Sequence, residues 1–143
     1  MKKKGFTLLE MIIVISIIAL LVGIATPQIT KAMKKSKAMA DVVTANTIAA
    51  TIQEMMLEGI TFNETTEWKE LNDANFFPSG SNLSLSKFIE NFSTLKPKMN
   101  SNYVFCYIYD SANNKLEIGA GKPGTDGMDL AFRLYPTLDP AYK

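Results

Sequence analysis

The feature that most constrains this chain is an apolar run near its amino terminus. Residues 6–30 contain a single charged side chain, Glu10. A helix of this length would span about 37 Å, which is enough to cross a lipid bilayer. An ionised carboxylate in hydrocarbon costs at least about 2.5–3.5 kcal/mol, so Glu10 needs a partner or a short path to water. The run therefore predicts a membrane segment in which Glu10 has a specific role.

Composition limits what the rest of the chain can be. With 143 residues and 47% hydrophobic content, we expect one modest folded domain beside the apolar run. Cys106 is the only cysteine and there is no histidine, so an internal disulfide and the commonest general base are both missing. Without three lysines before Gly5, the net charge of +1 becomes −2. Neither an enzyme nor a nucleic-acid-binding surface is favoured.

Three interpretations of the apolar run compete. A conventional secretory signal peptide would use the basic residues 2–4 and a cut near Ala25, but the run is long for that purpose and contains Glu10. A permanent anchor, for example of a sensor, gives no reason for Glu10. The third interpretation is a membrane helix that later leaves the bilayer. Glu10 could also lie close enough to the helix start to reach headgroup water.

The stretch KKKGFTLLEMIIVISIIALLVGIATPQI resembles the class III signal of type IV pilins and pseudopilins, with a basic leader that ends at Gly5 and continues with Phe6. The resemblance implies that a membrane-embedded prepilin peptidase cuts between Gly5 and Phe6. The same enzyme would then methylate the new amino terminus of Phe6. It also implies that Glu10, the fifth residue of the mature chain, pairs with the α-amine of a neighbouring subunit, an attraction that low dielectric strengthens.

The resemblance implies a structural subunit rather than an enzyme, without a required cofactor. The precursor would be a single-pass protein of the cytoplasmic membrane, surrounded by lipid until it polymerises with itself and other pilins into a cell-surface filament. An inner-membrane platform and a cytoplasmic assembly ATPase would be its further partners, and no nucleic acid is indicated. The alternative is a major pseudopilin of a secretion or DNA-uptake (competence) system. A secreted binding protein with a conventional signal peptide is the less favoured alternative.

The predicted organisation is a leader at 1–5, a membrane and filament-core helix half at 6–30, an amphipathic helix half at 31–58, and a globular head at 59–143. Pro27 lacks an amide proton, so the helix should kink or loosen between Gly23 and Pro27. The resemblance implies that this stretch can lose helical order in a filament.

The second helix half shows two patterns. Lysines 31, 34, 35 and 37 follow the apolar run, either as a solvated helix face or as contacts to acidic residues of adjacent subunits. Apolar residues then recur every three or four positions from Val42 to Met56 and predict a buried stripe. Gly59 is the expected end of this helix.

The predicted fold class is α+β, with the long helix packed against a small antiparallel sheet. The segments NYVFCYIYD and KLEIGA predict a hairpin around the turn SANN, and MDLAFRLY predicts a third strand. Residues 59–100 correspond to the αβ-loop of pilins, and spacing within it favours helical turns at 66–71 and 85–92. Four aromatic residues of this loop should pack the head onto the helix: Trp68, Phe76, Phe77 and Phe92.

The loop GAGKPGTDGMD is the remaining candidate site. Asp126 and Asp129 could offer oxygen ligands to a calcium ion, as some major pseudopilins do in a C-terminal loop. Two carboxylates do not make a recognisable ligand series, so an ordinary turn is favoured. Cys106 lies between Val104 and Ile108 and is interpreted as a buried structural thiol.

Overall fold

The computed structural model describes residues 5–125 and 127–142. The chain divides into two compact units between Lys34 and Lys35. Helix α1 runs from Leu8 to Leu57, so the first unit contains its apolar part and the second unit contains its remainder. Leader residues 1–4 and Asp126 lie outside the described residues.

In the first unit, the large apolar side chains of α1 have no protein cover. Those between Phe6 and Met33 are 47–81% exposed. The helix is long and apolar enough to cross a membrane by length and composition. The helix continues through Gly23 and Pro27 without a break. The loss of helical order expected in a filament concerns the polymer and stays a prediction.

In the second unit, one side of α1 forms the centre of the core. The stripe predicted from Val42 to Met56 is confirmed in its centre, whereas Val42 and Met56 are half-buried and the buried side extends back to Ala38. The buried residues recur at helical spacing: Ala38, Asp41, Ala45, Ile48, Ala49, Ile52 and Met55. The helix ends at Leu57, and Gly59, the predicted stop, follows it with a φ of +80° in the left-handed region. The amide of Gly59 donates to the Met56 carbonyl and that of Ile60 to the Met55 carbonyl, the paired bonds of a Schellman motif.

Four antiparallel strands form one sheet in the order β1-β2-β3-β4. Their bounds are Thr65–Glu70, Val104–Asp110, Lys115–Pro123 and Met128–Tyr135. Strands β2, β3 and β4 confirm the predicted hairpin and third strand. The Asp110 carboxylate accepts hydrogen bonds from Asn113 and Ala112 in the connecting turn. These hydrogen bonds lower the pKa of Asp110, and the bond from the Asn113 side chain is the largest cause.

The fourth strand corrects the prediction for the αβ-loop. Residues 66–71 were expected to form a helical turn, but β1 occupies this segment and pairs with β2. A short helix, α2 (Asp73–Phe76), follows it. The helix predicted over 85–92 is also wrong, since this stretch holds two separate 3-10 turns, Leu85–Lys87 and Phe92–Thr94.

The two faces of the sheet have different neighbours. Phe105 and Tyr107 of β2 and Ile118 of β3 belong to the core that includes the buried side of α1. Phe76 and Phe77 join that core and Phe92 packs against it, as predicted. Trp68 does not, because it packs against Gly119 on the face that carries Cys106, the register partner of Gly119.

One buried carboxylate ties α1 to the end of the αβ-loop. Asp41 is 1% exposed, and its two oxygens accept hydrogen bonds from the backbone amides of Lys98 (2.6 Å) and Met99 (2.9 Å). Charge-assisted bonds of this kind are stronger than neutral ones. Asp41 therefore positions the chain just before it enters β2.

Candidate processing and assembly site

Thr7 and Glu10 form a reciprocal pair at the start of α1. The Glu10 Oε2 atom accepts hydrogen bonds from the Thr7 amide at 2.8 Å and from the Thr7 hydroxyl at 2.9 Å. In return, the Thr7 Oγ1 atom accepts a bond of 3.2 Å from the Glu10 amide. This is a capping box, in which a threonine precedes the helix and a glutamate three residues later satisfies its backbone amide.

The capping box supplies Glu10 with a partner inside its own chain. The sequence contains the signature of this motif as TLLE before an apolar run. The sequence prediction considered Glu10 only as a costly charge in hydrocarbon and therefore missed its role as a cap. Both hydrogen bonds fall on Oε2, and Oε1 makes none within the described residues. One carboxylate oxygen is thus available to a second donor.

The Gly5–Phe6 peptide bond precedes the helix. Both residues lack regular secondary structure, and Phe6 is 81% exposed. A Cβ added at Gly5 would meet no atom within 4 Å, so the described fold does not require glycine there. Cleavage after Gly5 by a peptidase stays a prediction.

Hydroxyl groups of the apolar segment are satisfied within the helix. Ser16 donates to the Ile12 carbonyl and Thr26 to the Val22 carbonyl, each at 2.7 Å. Thr30 donates to the Thr26 carbonyl at 3.0 Å. Such bonds to the fourth preceding residue leave no unpaired hydroxyl donor in hydrocarbon. These three hydroxyl groups are therefore compatible with a lipid environment.

A family model described as the prokaryotic N-terminal methylation motif matches residues 1–26. This motif is the type IV pilin and pseudopilin signal. The match spans the basic leader, Gly5, the capping box and most of the apolar segment. No solved structure matched the chain. Together, the pilin signal and the long apolar helix found among the described residues fit a precursor that is anchored in a membrane.

The pilin signal does not extend to the candidate calcium loop. Asp129 lies in β4, where its Oδ2 atom is 3.6 Å from the Lys122 Nζ atom. Asp126 lies outside the described residues. Among the residues that the structure describes, no group of three or more potential metal ligands occurs. Calcium binding stays a prediction.

Cys106 has the environment expected of a structural thiol. Its side chain is fully buried in β2, and this burial raises its pKa to about 12. The reactive form of cysteine is the thiolate, which is therefore scarce at neutral pH.

Proposed function

We propose that the chain is a type IV pilin-like subunit that is cut after Gly5 and polymerises through α1. The observation that carries the proposal is the methylation motif, which coincides with the start of an apolar helix that has no cover within its own unit. An exposed apolar surface of this size requires lipid or copies of itself. Lipid would surround the precursor, and neighbouring helices would replace it in the filament.

Glu10 is proposed as the docking group of assembly. Processing would create a cationic α-amine at Phe6. The Oε1 atom of Glu10 on another subunit, which accepts no bond from the described residues, could accept it while Oε2 keeps its bonds to Thr7. A paired charge avoids the cost of an isolated one in hydrocarbon. Pairing would also set the register between neighbouring helices.

The decisive measurement is the mass of the mature protein from its native cells, together with negative-stain microscopy of sheared surface material. We expect a chain that begins at a methylated Phe6 and forms filaments. A chain that begins at Thr26 would support a secreted protein instead, although Ala25 lies inside α1. An intact leader without filaments would support a permanent anchor.

Two variants separate processing from docking. Glu10→Ala should be cut normally but enter filaments poorly, because the peptidase would bind the leader while the neighbour binds the carboxylate. Gly5→Val should remain uncut, because a branched side chain would be placed at the cleaved bond. Normal incorporation of the first variant would refute the docking role, and normal cutting of the second would refute the role of Gly5.

The methylation motif is common to pilins and pseudopilins, so the same microscopy distinguishes them. Long surface filaments would identify a pilus subunit, with adhesion or motility as its possible roles. Short assemblies that appear only with an active secretion or DNA-uptake system would identify a pseudopilin. An assembly ATPase, a membrane platform and the prepilin peptidase are the partners that both versions require.

A further inference from the structure

Trp68 lies on the outer face of the sheet, the face that carries Cys106 and Gly119. It is the only tryptophan of the chain, and it is half-buried. A Cβ added at Gly119 would lie 2.8 Å from the Cζ3 atom of the tryptophan ring. Because Gly119 has no side chain, the ring lies directly against strand β3, and part of it stays accessible to solvent.

An open cavity of about 680 Å³ lies beside Trp68. Sites for small molecules typically have volumes of about 300–1,000 Å³ and combine an apolar wall with a few polar groups. Trp68, Ile108 and Met128 supply the apolar wall of this cavity. Thr66 and Thr125 also line it and add hydroxyl groups. The cavity thus has the size and the mixed lining of a binding site for a small molecule.

The charged residues that line the cavity, among those the structure describes, are both acidic. They are Glu67 and Asp129, and both are exposed. Glu67 forms no ion pair within the described part of the chain. Asp129 lies 3.6 Å from the Lys122 Nζ atom, but both side chains are more than half exposed, so this pair is weak and can exchange for another cation. The cavity is therefore complementary to a positive charge.

We propose that this cavity binds a small soluble quaternary ammonium compound, with the ring of Trp68 against the cation and Glu67 and Asp129 as its counter-charges. Tryptophan attracts cations more strongly than the other aromatic side chains do. The methyl groups of a quaternary ammonium can contact Ile108 and Met128, whereas a primary ammonium keeps a strongly bound hydration shell. The site lies in the head and does not depend on the proposed filament function.

Two matched ligands test the charge requirement. Choline carries a quaternary ammonium, and dimethylbutanol is its uncharged isostere with nearly the same shape. Equilibrium dialysis of the full-length protein in a nonionic detergent should show saturable choline binding that weakens as salt is added. The isostere should bind at least about tenfold more weakly. Because Trp68 is the only tryptophan, a change in intrinsic fluorescence would locate the bound choline at this cavity. Equal binding of both ligands, or no saturable binding of choline, would overturn the proposal.

Substitutions assign the binding to named side chains. Trp68→Leu should lower choline affinity about tenfold in dialysis, because it keeps an apolar side chain but removes the ring. The double variant Glu67→Gln/Asp129→Asn should lower the affinity by a similar factor and should fold normally, since both residues are exposed. Glu90→Gln is the matched control, because Glu90 is an exposed carboxylate outside the cavity, and it should bind choline as the wild type does. Unchanged affinity in the double variant would refute the site even if Trp68→Leu does not fold.

Discussion

At the scale of single residues, the Thr7–Glu10 pair satisfies two backbone amides at the start of an apolar helix. A carboxylate that costs free energy in hydrocarbon accepts two hydrogen bonds from one residue and caps the helix at the same time. Its placement near the helix start thus has a local cause besides the proposed docking. The local role depends only on this chain, and docking depends on a second copy.

Cys106 should be unreactive in the folded protein. Burial raises its pKa to about 12, so at pH 8 the thiol is protonated, and the surrounding core excludes reagents. We expect no alkylation by iodoacetamide under native conditions and complete alkylation in denaturant, measured by intact mass. The exposed variant Ser79→Cys is the positive control. Rapid native labelling of the wild-type thiol would contradict the buried placement.

Gly121 should tolerate no side chain. A Cβ there would collide with the Leu130 carbonyl oxygen and come within 2.7 Å of the Ala131 Cα atom, both in the neighbouring strand β4. Gly121→Ala should destabilise the head by about 1–3 kcal/mol, measured by urea unfolding of the full-length protein in detergent. Gly23→Ala is the control, since a Cβ at Gly23 meets no atom within 4 Å. Equal unfolding midpoints for the two variants would argue against this close approach.

At the scale of elements, the beginning of α1 depends on the Thr7 side chain. Thr7→Val removes the hydroxyl and should weaken the first turn by about 1 kcal/mol, whereas Thr7→Ser keeps it. The Glu10 amide, which donates to the Thr7 hydroxyl, should then exchange its hydrogen faster in the valine variant than in the serine variant. Hydrogen exchange of the detergent-solubilised protein measures this difference. Identical exchange in both variants would mean that the hydroxyl does not cap the helix.

The attachment of the αβ-loop to α1 depends on Asp41. Asp41→Asn replaces one acceptor oxygen with a donor that would face a backbone amide, at an expected loss of about 2–3 kcal/mol in unfolding free energy. Urea unfolding at neutral pH measures it. Asp110→Asn should cause a smaller loss, because the hydrogen bonds of Asp110 lie in an exposed turn. A larger effect at Asp110 would contradict this ranking.

Local patterns in the sequence predict most elements but not all. Strands β2 and β3 combine apolar alternation with a short turn, so neighbouring residues contain the whole signal. Strand β1 was missed because Trp68 and Leu71 have helical spacing, whereas the strand depends on pairing with the distant strand β2. The partners of Asp41 were also beyond local patterns, because they are backbone amides from another part of the chain.

At the scale of the whole molecule, the two compact units differ in the solvent they require. The large apolar side chains between Phe6 and Met33 are exposed, whereas the second unit contains its own core. A fragment of residues 35–143 should therefore fold cooperatively without detergent, as measured by circular dichroism during urea unfolding. The full-length chain is the control and should require detergent. Precipitation or gradual unfolding of the fragment would show that its core is insufficient.

The sequence predicts the N-terminal methylation motif and the apolar helix better than it predicts the head. Gly5, Phe6 and Glu10 lie in a contiguous motif, and the matched family model covers that region. Trp68 packs against Gly119 on the face that carries Cys106, a position that depends on the register between strands distant in sequence. The head depends on contacts between residues that are far apart in the sequence, and no short motif contains such contacts. The N-terminal segment is predicted better because its motif is contiguous.

The capping box places a negative charge beside the amino terminus of α1. The aligned peptide dipoles of a helix place a partial positive charge at its amino terminus. Cutting after Gly5 would leave only Phe6 ahead of the cap and would add a full positive charge where the helix is already positive. The carboxylate of Glu10 in the first turn opposes both. Removing this carboxylate would therefore leave two positive charges close together at a trimmed amino terminus, in addition to removing the proposed docking group.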